Sequence, residues 1–124
     1  MEFTYDNIGD TEIITIVVDG DNKAMLEISY FNVECYAQIQ SMVSYEKGKG
    51  YMKSLIIHAV NFLREKYQDG CGQLSIVSGT GRSECANGFY SHISNEKITE
   101  DDLLCYTFDE NGDFVRLTEM EEYV

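Results

Sequence analysis

The chain contains no proline and no tryptophan, and positive charge is scarce: 9 lysines and arginines stand against 22 acidic residues, a formal net charge of −13. So few cations argue against nucleic acid as a partner, because neutralising a phosphate backbone takes many of them on one face. The surplus of acid suits a cationic partner instead, an amine, a polyamine or a basic protein. No apolar run approaches the roughly 20 residues of a membrane span, and the acidic N-terminal stretch lacks the basic start of a secretory signal. The expectation is a cytoplasmic protein with no membrane contact. Cysteine is also sparse. Cys35, Cys71, Cys85 and Cys105 are scattered, with no Cys-x-x-Cys spacing and no nearby histidine pair, which argues against a metal site. Reduced structural thiols are the expectation for such a chain.

Against this acidic background one stretch stands out. Lys47-Gly48-Lys49-Gly50 ends abruptly at Tyr51, and from Met52 the apolar residues fall at Met52, Leu55, Ile56, Ala59, Val60 and Leu63. That is the spacing of one face of a long helix. Before the turn, Ala37, Ile39 and Val43 alternate with Gln38, Gln40 and Met42, the period of a strand with one drier face. In a strand, glycine turn and helix, the two glycines let several backbone N–H groups converge on one point. The helix start adds partial positive charge there. Lys47, Lys49, Lys53, Arg64 and Lys66 all fall within residues 45–66, opposed only by Glu46 and Glu65. Such a window reads as an anion site, most simply for phosphates. A basic helix face that merely relieves the repulsion of an acidic protein is the alternative.

At 124 residues with 44% hydrophobic composition, the chain reads as one globular domain spanning 1–124, large enough for a core of its own. Residues 1–11 suggest a short edge strand or a loosely held arm. Ile13 to Val18 is a β-branched run, read as a strand buried on both faces. Asp19-Gly20-Asp21-Asn22 is turn chemistry, and Met25 to Phe31 reads as the second arm of a hairpin. The strand at about 36–44 follows, then the glycine turn and the helix to about Tyr67. Gln73 to Ser78 reads as a strand parallel to the one at 36–44, the two forming a βαβ crossover with the helix between them. Ser83 is a reasonable N-cap for a shorter helix carrying Ala86, Phe89, Tyr90 and Ile93. Leu103 to Phe108 and Phe114 to Leu117 flank Asn111-Gly112 as a hairpin. The expected class is α+β, a mixed and mostly antiparallel sheet with a central βαβ crossover and two main helices.

This order, with its glycine turn opening the main helix, resembles the GNAT superfamily of N-acetyltransferases. The family's motif, Arg or Gln, two residues, Gly, any residue, then Gly or Ala, is approximated by Lys47-Gly48-Lys49-Gly50-Tyr51-Met52. Its second signature, an Ala shortly before a Phe-Tyr pair on the helix after the next strand, is approximated by Ala86-Asn87-Gly88-Phe89-Tyr90. Together the two cover roughly residues 36–93. The resemblance implies acetyl-CoA as co-substrate and no metal. It implies that the amides of Lys49 to Lys53 hold the diphosphate, with Lys47, Gly48, Lys49, Gly50, Tyr51, Met52 and Lys53 forming the cofactor turn and Ser83 beside it. Met42 and Val43 would offer backbone groups to the pantetheine arm and the acetyl carbonyl. Tyr90 resembles the tyrosine that protonates the departing thiolate, a role in which a positioned phenol offsets developing charge. Glu34 and Glu84 are candidates for removing the amine's proton.

Three departures qualify the likeness. Lys47 stands where Arg or Gln is usual, keeping charge but losing a planar hydrogen-bonding group. Met52 replaces a small residue and either crowds the diphosphate or turns into the core, where it would continue the apolar face. Only a turn separates the first two strands, where the family has two helices walling the acceptor site. That site is then reduced, shared with a second copy in a homodimer, or absent. The implied function is acetyl transfer to the amine of a cationic small molecule or basic protein. The alternative is a non-catalytic, acidic interaction module of the same fold. His58 reads as a solvated residue on the polar side of the long helix, His92 as a lone histidine, and Gln38 and Gln40 as a solvated face or the lining of an acceptor groove.

Overall fold

A computed structural model describes residues 1–31, 35–67 and 74–117. Seven strands and two helices lie among them, and the chain divides into two compact units, Met1–Leu74 and Ser75–Val124. The class is α+β: helices and strands are separate elements, and the pairing within each unit is antiparallel throughout.

The first unit is a meander of β1 (Glu2–Ile8), β2 (Thr11–Val18), β3 (Asp21–Phe31) and β4 (Tyr36–Ser44), with α1 (Tyr51–Tyr67) on one face. Gly9 at φ +62° turns β1 into β2, and Asp19 and Gly20, at +53° and +83°, turn β2 into β3. These left-handed angles fit the twist of a two-residue hairpin loop. Ile14, Ile16, Ala24, Leu26, Ile28, Ala37 and Ile39 form the sheet side of the core; Met52, Leu55, Ile56, Ala59, Val60 and Leu63 form the helix side. The two periods, near 3.6 and 2, thus meet face to face.

Three expectations are corrected in this unit. β2 is buried on one face, not two: Ile14 and Ile16 are enclosed, while Ile13, Thr15 and Val17 are half-buried. A β-branched run records strand propensity but not how many faces are covered. In β4 the drier face changes parity. Ile39 pairs with Ile28 and Met42 with Leu26, and the register shifts at Glu27/Ile28. This β-bulge puts Met42, rather than Val43, on the helix side with Ile39. Finally, Cys35 is disulfide-bonded, where reduced thiols were expected. Spacing along the chain does not report which sulfurs meet in space.

The second unit pairs β5 (Ser75–Ser78) with β6 (Leu104–Phe108) and β6 with β7 (Phe114–Arg116), and carries α2 (Glu84–Ser94). Ile76, Val77, Ala86, Tyr90, Ile98, Leu104 and Tyr106 are its core. The Asn111-Gly112 hairpin joins β6 to β7, with Gly112 at φ +80° and Asp109 Oδ1 accepting the N–H groups of Asn111 and Asp113. The expected crossover from 36 to 78 runs through residues 68–73, outside the described residues, and joins the two units. No helix among the described residues is long and apolar enough to cross a membrane.

Candidate functional site: the glycine turn at the start of the long helix

The turn is anchored where β4 ends. The N–H groups of Tyr45 and Glu46 donate to the Lys23 carbonyl at 2.9 and 3.3 Å, and Lys23 Nζ pairs with Glu46 at 2.7 Å. That pair commits the one acidic residue of the turn: the hydrogen bond from Lys23 holds the Glu46 carboxyl below its usual range, with Lys49 adding to the effect. Gly48 and Gly50 follow at φ +79° and +75°. A Cβ at either would meet no atom within 4 Å, so it is the backbone angle, not crowding, that calls for glycine.

The first helical hydrogen bond runs from Ser54 N–H to the Gly50 carbonyl at 3.1 Å. Gly50 is therefore the N-cap, and the amides of Tyr51, Met52 and Lys53 have no helical acceptor. Glycine brings no side-chain oxygen to cap them, and no acidic residue lies in the first turn. Instead Lys49 and Lys53 sit beside this end and Lys47 precedes it. Cations at the positive end of a helix each cost about 0.3–1 kcal/mol at exposed sites. An anion bound at the three amides would reverse the sign of that term. Met52 is buried among the apolar residues of α1 and leaves the turn uncrowded, the inward alternative. Met42 and Val43 are half-buried at the end of β4, directly after the bulge; nothing in the spacing of side chains betrays such an extra residue.

Ser83 and Tyr90 belong to the second unit. Ser83 caps α2, its Oγ accepting the Ala86 N–H at 3.2 Å. Tyr90 is fully buried. Its hydroxyl lies 2.9 Å from that of Tyr106 and is also hydrogen-bonded to Ser78, and the two tyrosine rings meet edge to face at 5.3 Å. Burial raises the Tyr90 phenol above its ordinary value, and burial raises Tyr106 further. Arg82, between β5 and α2, organises this end. Its guanidinium lies 5.4 Å over the Tyr90 ring and donates to the carbonyls of Ser78, Gly79 and Thr99 and to Asn87 Oδ1. With four of its five donors on the chain's own oxygens, it is a structural cation, and a lone arginine in a polar loop carries no pattern that announces it.

Of the remaining candidates, Glu84 is exposed in the first turn of α2 and His92 exposed in its last, while Glu34 lies outside the described residues. Gln38 is half-buried, and Gln40 is exposed with its Nε2 3.5 Å from Ser29 Oγ. His58 is not simply solvated: its ring stacks on Phe3 at 3.7 Å and its Nε2 lies 2.5 Å from the Tyr5 hydroxyl. The helical wheel marks its side of α1 as polar, but β1 comes to lie beneath it. Among the described residues no three His, Cys, Asp or Glu side chains gather as metal ligands would. Comparison of the chain with protein-family models, with characterised proteins and with solved structures gives no match in any of the three.

Proposed function

We propose that the chain is a shortened acetyltransferase of the GNAT kind, in which the turn from Gly48 to Lys53 holds the diphosphate of acetyl-CoA. The acceptor is an amine of a cationic small molecule or a basic protein. The observation that carries this reading is the open positive end of α1: a side-chain-free N-cap, three amides without helical acceptors, and lysines around them. The bulge just ahead of Met42 and Val43 is a second support, since bulges are over-represented beside active sites. The mixed sheet with a central crossover, which the family likeness implies, is part of the same proposal.

In the reaction, the neutral amine nitrogen attacks the thioester carbonyl, the C–N bond forms, and the C–S bond breaks with the electron pair leaving on sulfur. The ammonium proton passes to water. The thiolate is a good leaving group and takes its proton from water or, as the family likeness implies, from Tyr90.

A second reading has one observation in its favour. Because Tyr90 is enclosed and hydrogen-bonded, a non-catalytic acidic interaction module of the same fold would keep it for packing alone. Isothermal titration with acetyl-CoA separates the cases. Binding that Lys49→Glu and Lys53→Glu each weaken about tenfold or more supports the cofactor turn. Binding without acetylation of any amine offered favours the module. An absence of heat at about 1 mM ligand, a free energy near −4 kcal/mol, removes the cofactor and the enzyme with it.

A further inference from the structure

We propose that the outer edge of β1 is a docking strand for an extended, lysine- or arginine-rich segment of a partner protein, which adds to the sheet of the first unit as one more strand. The proposal holds whether or not acetyl transfer occurs.

Among the described residues β1 pairs with β2 alone, over seven consecutive residue pairs with no register shift. Six of its seven residues are exposed. In a hairpin closed by a two-residue loop, the pair nearest the loop exchanges both hydrogen bonds, and the pattern alternates from there. Ile8, Asp6, Thr4 and Glu2 therefore face β2, and Phe3, Tyr5 and Asn7 turn their backbone groups outward. The Asn7 N–H is taken locally by Asp6 Oδ1 at 2.9 Å, which leaves the outward groups of Phe3 and Tyr5 as the centre of the edge.

Proteins ordinarily blunt such an edge with proline, lysine, a bulge or a covering element. Among the described residues of the first unit β1 has none of these; its charged residues are Glu2 and Asp6. Among the described residues the charge nearby is mostly of the same sign. Asp10 lies in the hairpin loop, Glu65 is close enough to act on His58, and Lys66, whose Nζ lies 5.8 Å from the Phe62 ring, is committed to buried Glu12. This edge repels a second copy of an acidic chain and attracts a basic strand.

The helix side of the edge supplies side-chain recognition. Tyr5 stacks on Phe62 at 4.7 Å, and Phe3 on His58, so α1 and β1 together form an aromatic wall beside the open backbone. Alternate residues of an added strand would lie against this wall with apolar side chains packed along the rings. The residues between them would place their cations near Glu2 and Asp6.

The test uses the full chain, isotope-labelled, and a blocked octapeptide of alternating lysine and valine. The expected result is saturable binding with amide shifts centred on Phe3 and Tyr5, weakened by salt. The same peptide with alternate backbone nitrogens methylated keeps its charge and loses one row of donors; it should bind about tenfold more weakly. So should the Glu2→Gln/Asp6→Asn variant with the unmethylated peptide. Equal binding of the methylated peptide, shifts centred elsewhere, or no binding would overturn the proposal. So would a stable dimer in sedimentation that Tyr5→Pro dissolves, since a second copy would then hold the edge.

Discussion

Removing one hydroxyl from the core of the second unit separates packing from chemistry. In Tyr90→Phe the ring stays and its edge-to-face contact with Tyr106 is kept, but the Tyr106 hydroxyl loses a partner 2.9 Å away in a site closed to water. An unsatisfied buried polar group costs about 1–3 kcal/mol, and Ser78 loses its bond to Tyr90 in the same change. We therefore expect Tyr90→Phe to destabilise by about 1–2 kcal/mol and Tyr106→Phe by a similar amount. In the double variant neither hydroxyl is left stranded by the other, so the two costs should fall short of additivity by about 1 kcal/mol. Urea unfolding of the four proteins measures this, and each kcal/mol should appear as a drop of roughly 3–6 °C in Tm. Strictly additive losses, or a Tyr90→Phe variant as stable as the parent, would refute the buried pair. The same variant bears on catalysis. If Tyr90 gives its proton to the thiolate, turnover with acetyl-CoA falls by more than the loss of folded protein explains; if its task is packing, the rate per folded molecule is unchanged.

Two further perturbations test the first unit. Glu12 is buried, accepts from Lys66 and takes a second hydrogen bond from Asn7 Nδ2 at 3.0 Å. Lys66→Met should cost about 1–3 kcal/mol, less than a fully buried pair because the lysine is partly solvated, and Glu12→Leu in the same chain should recover most of it. Failure of the second change to rescue the first in urea unfolding would mean that the carboxylate is not what the lysine compensates. For His58, burial against Phe3 lowers the imidazole below its ordinary value of 6.5, so the unfolded chain takes up the proton first as pH falls. Its contribution to stability is then complete above about pH 6.5 and is lost as pH drops toward the folded value. A Tm series from about pH 8 to 5 should slope downward over that window more in the parent than in His58→Phe, and an equal slope in both would exclude the ring as the cause.

How far the residues alone reveal this fold depends on the range of the interaction that decides each feature. α1 and α2 were legible because apolar spacing and a serine cap are local properties. The hairpin turns were legible because Gly20 and Gly112 take angles that few residues accept. What escaped notice was set by contacts distant in sequence. The bulge in β4 depends on its register with β3, and no side chain near Gln40 announces it. His58 reads as polar surface until β1 supplies Phe3 and Tyr5. Tyr90 shows the same limit: a Phe-Tyr pair on a helix has one periodicity whether the hydroxyl meets solvent or a second buried phenol. The glycine turn was the most legible part of the candidate site, since the angles, charge and helix start that define it all lie within a few residues.

Arg82 holds, through one planar group, the end of β5, the side chain of Asn87 and the carbonyl of Thr99. These three separate stretches therefore cannot loosen one at a time. Their slow amides should exchange with solvent at a common opening free energy, and replacing the guanidinium with a lysine ammonium, which cannot span all four acceptors, should split that shared event into separate, easier ones.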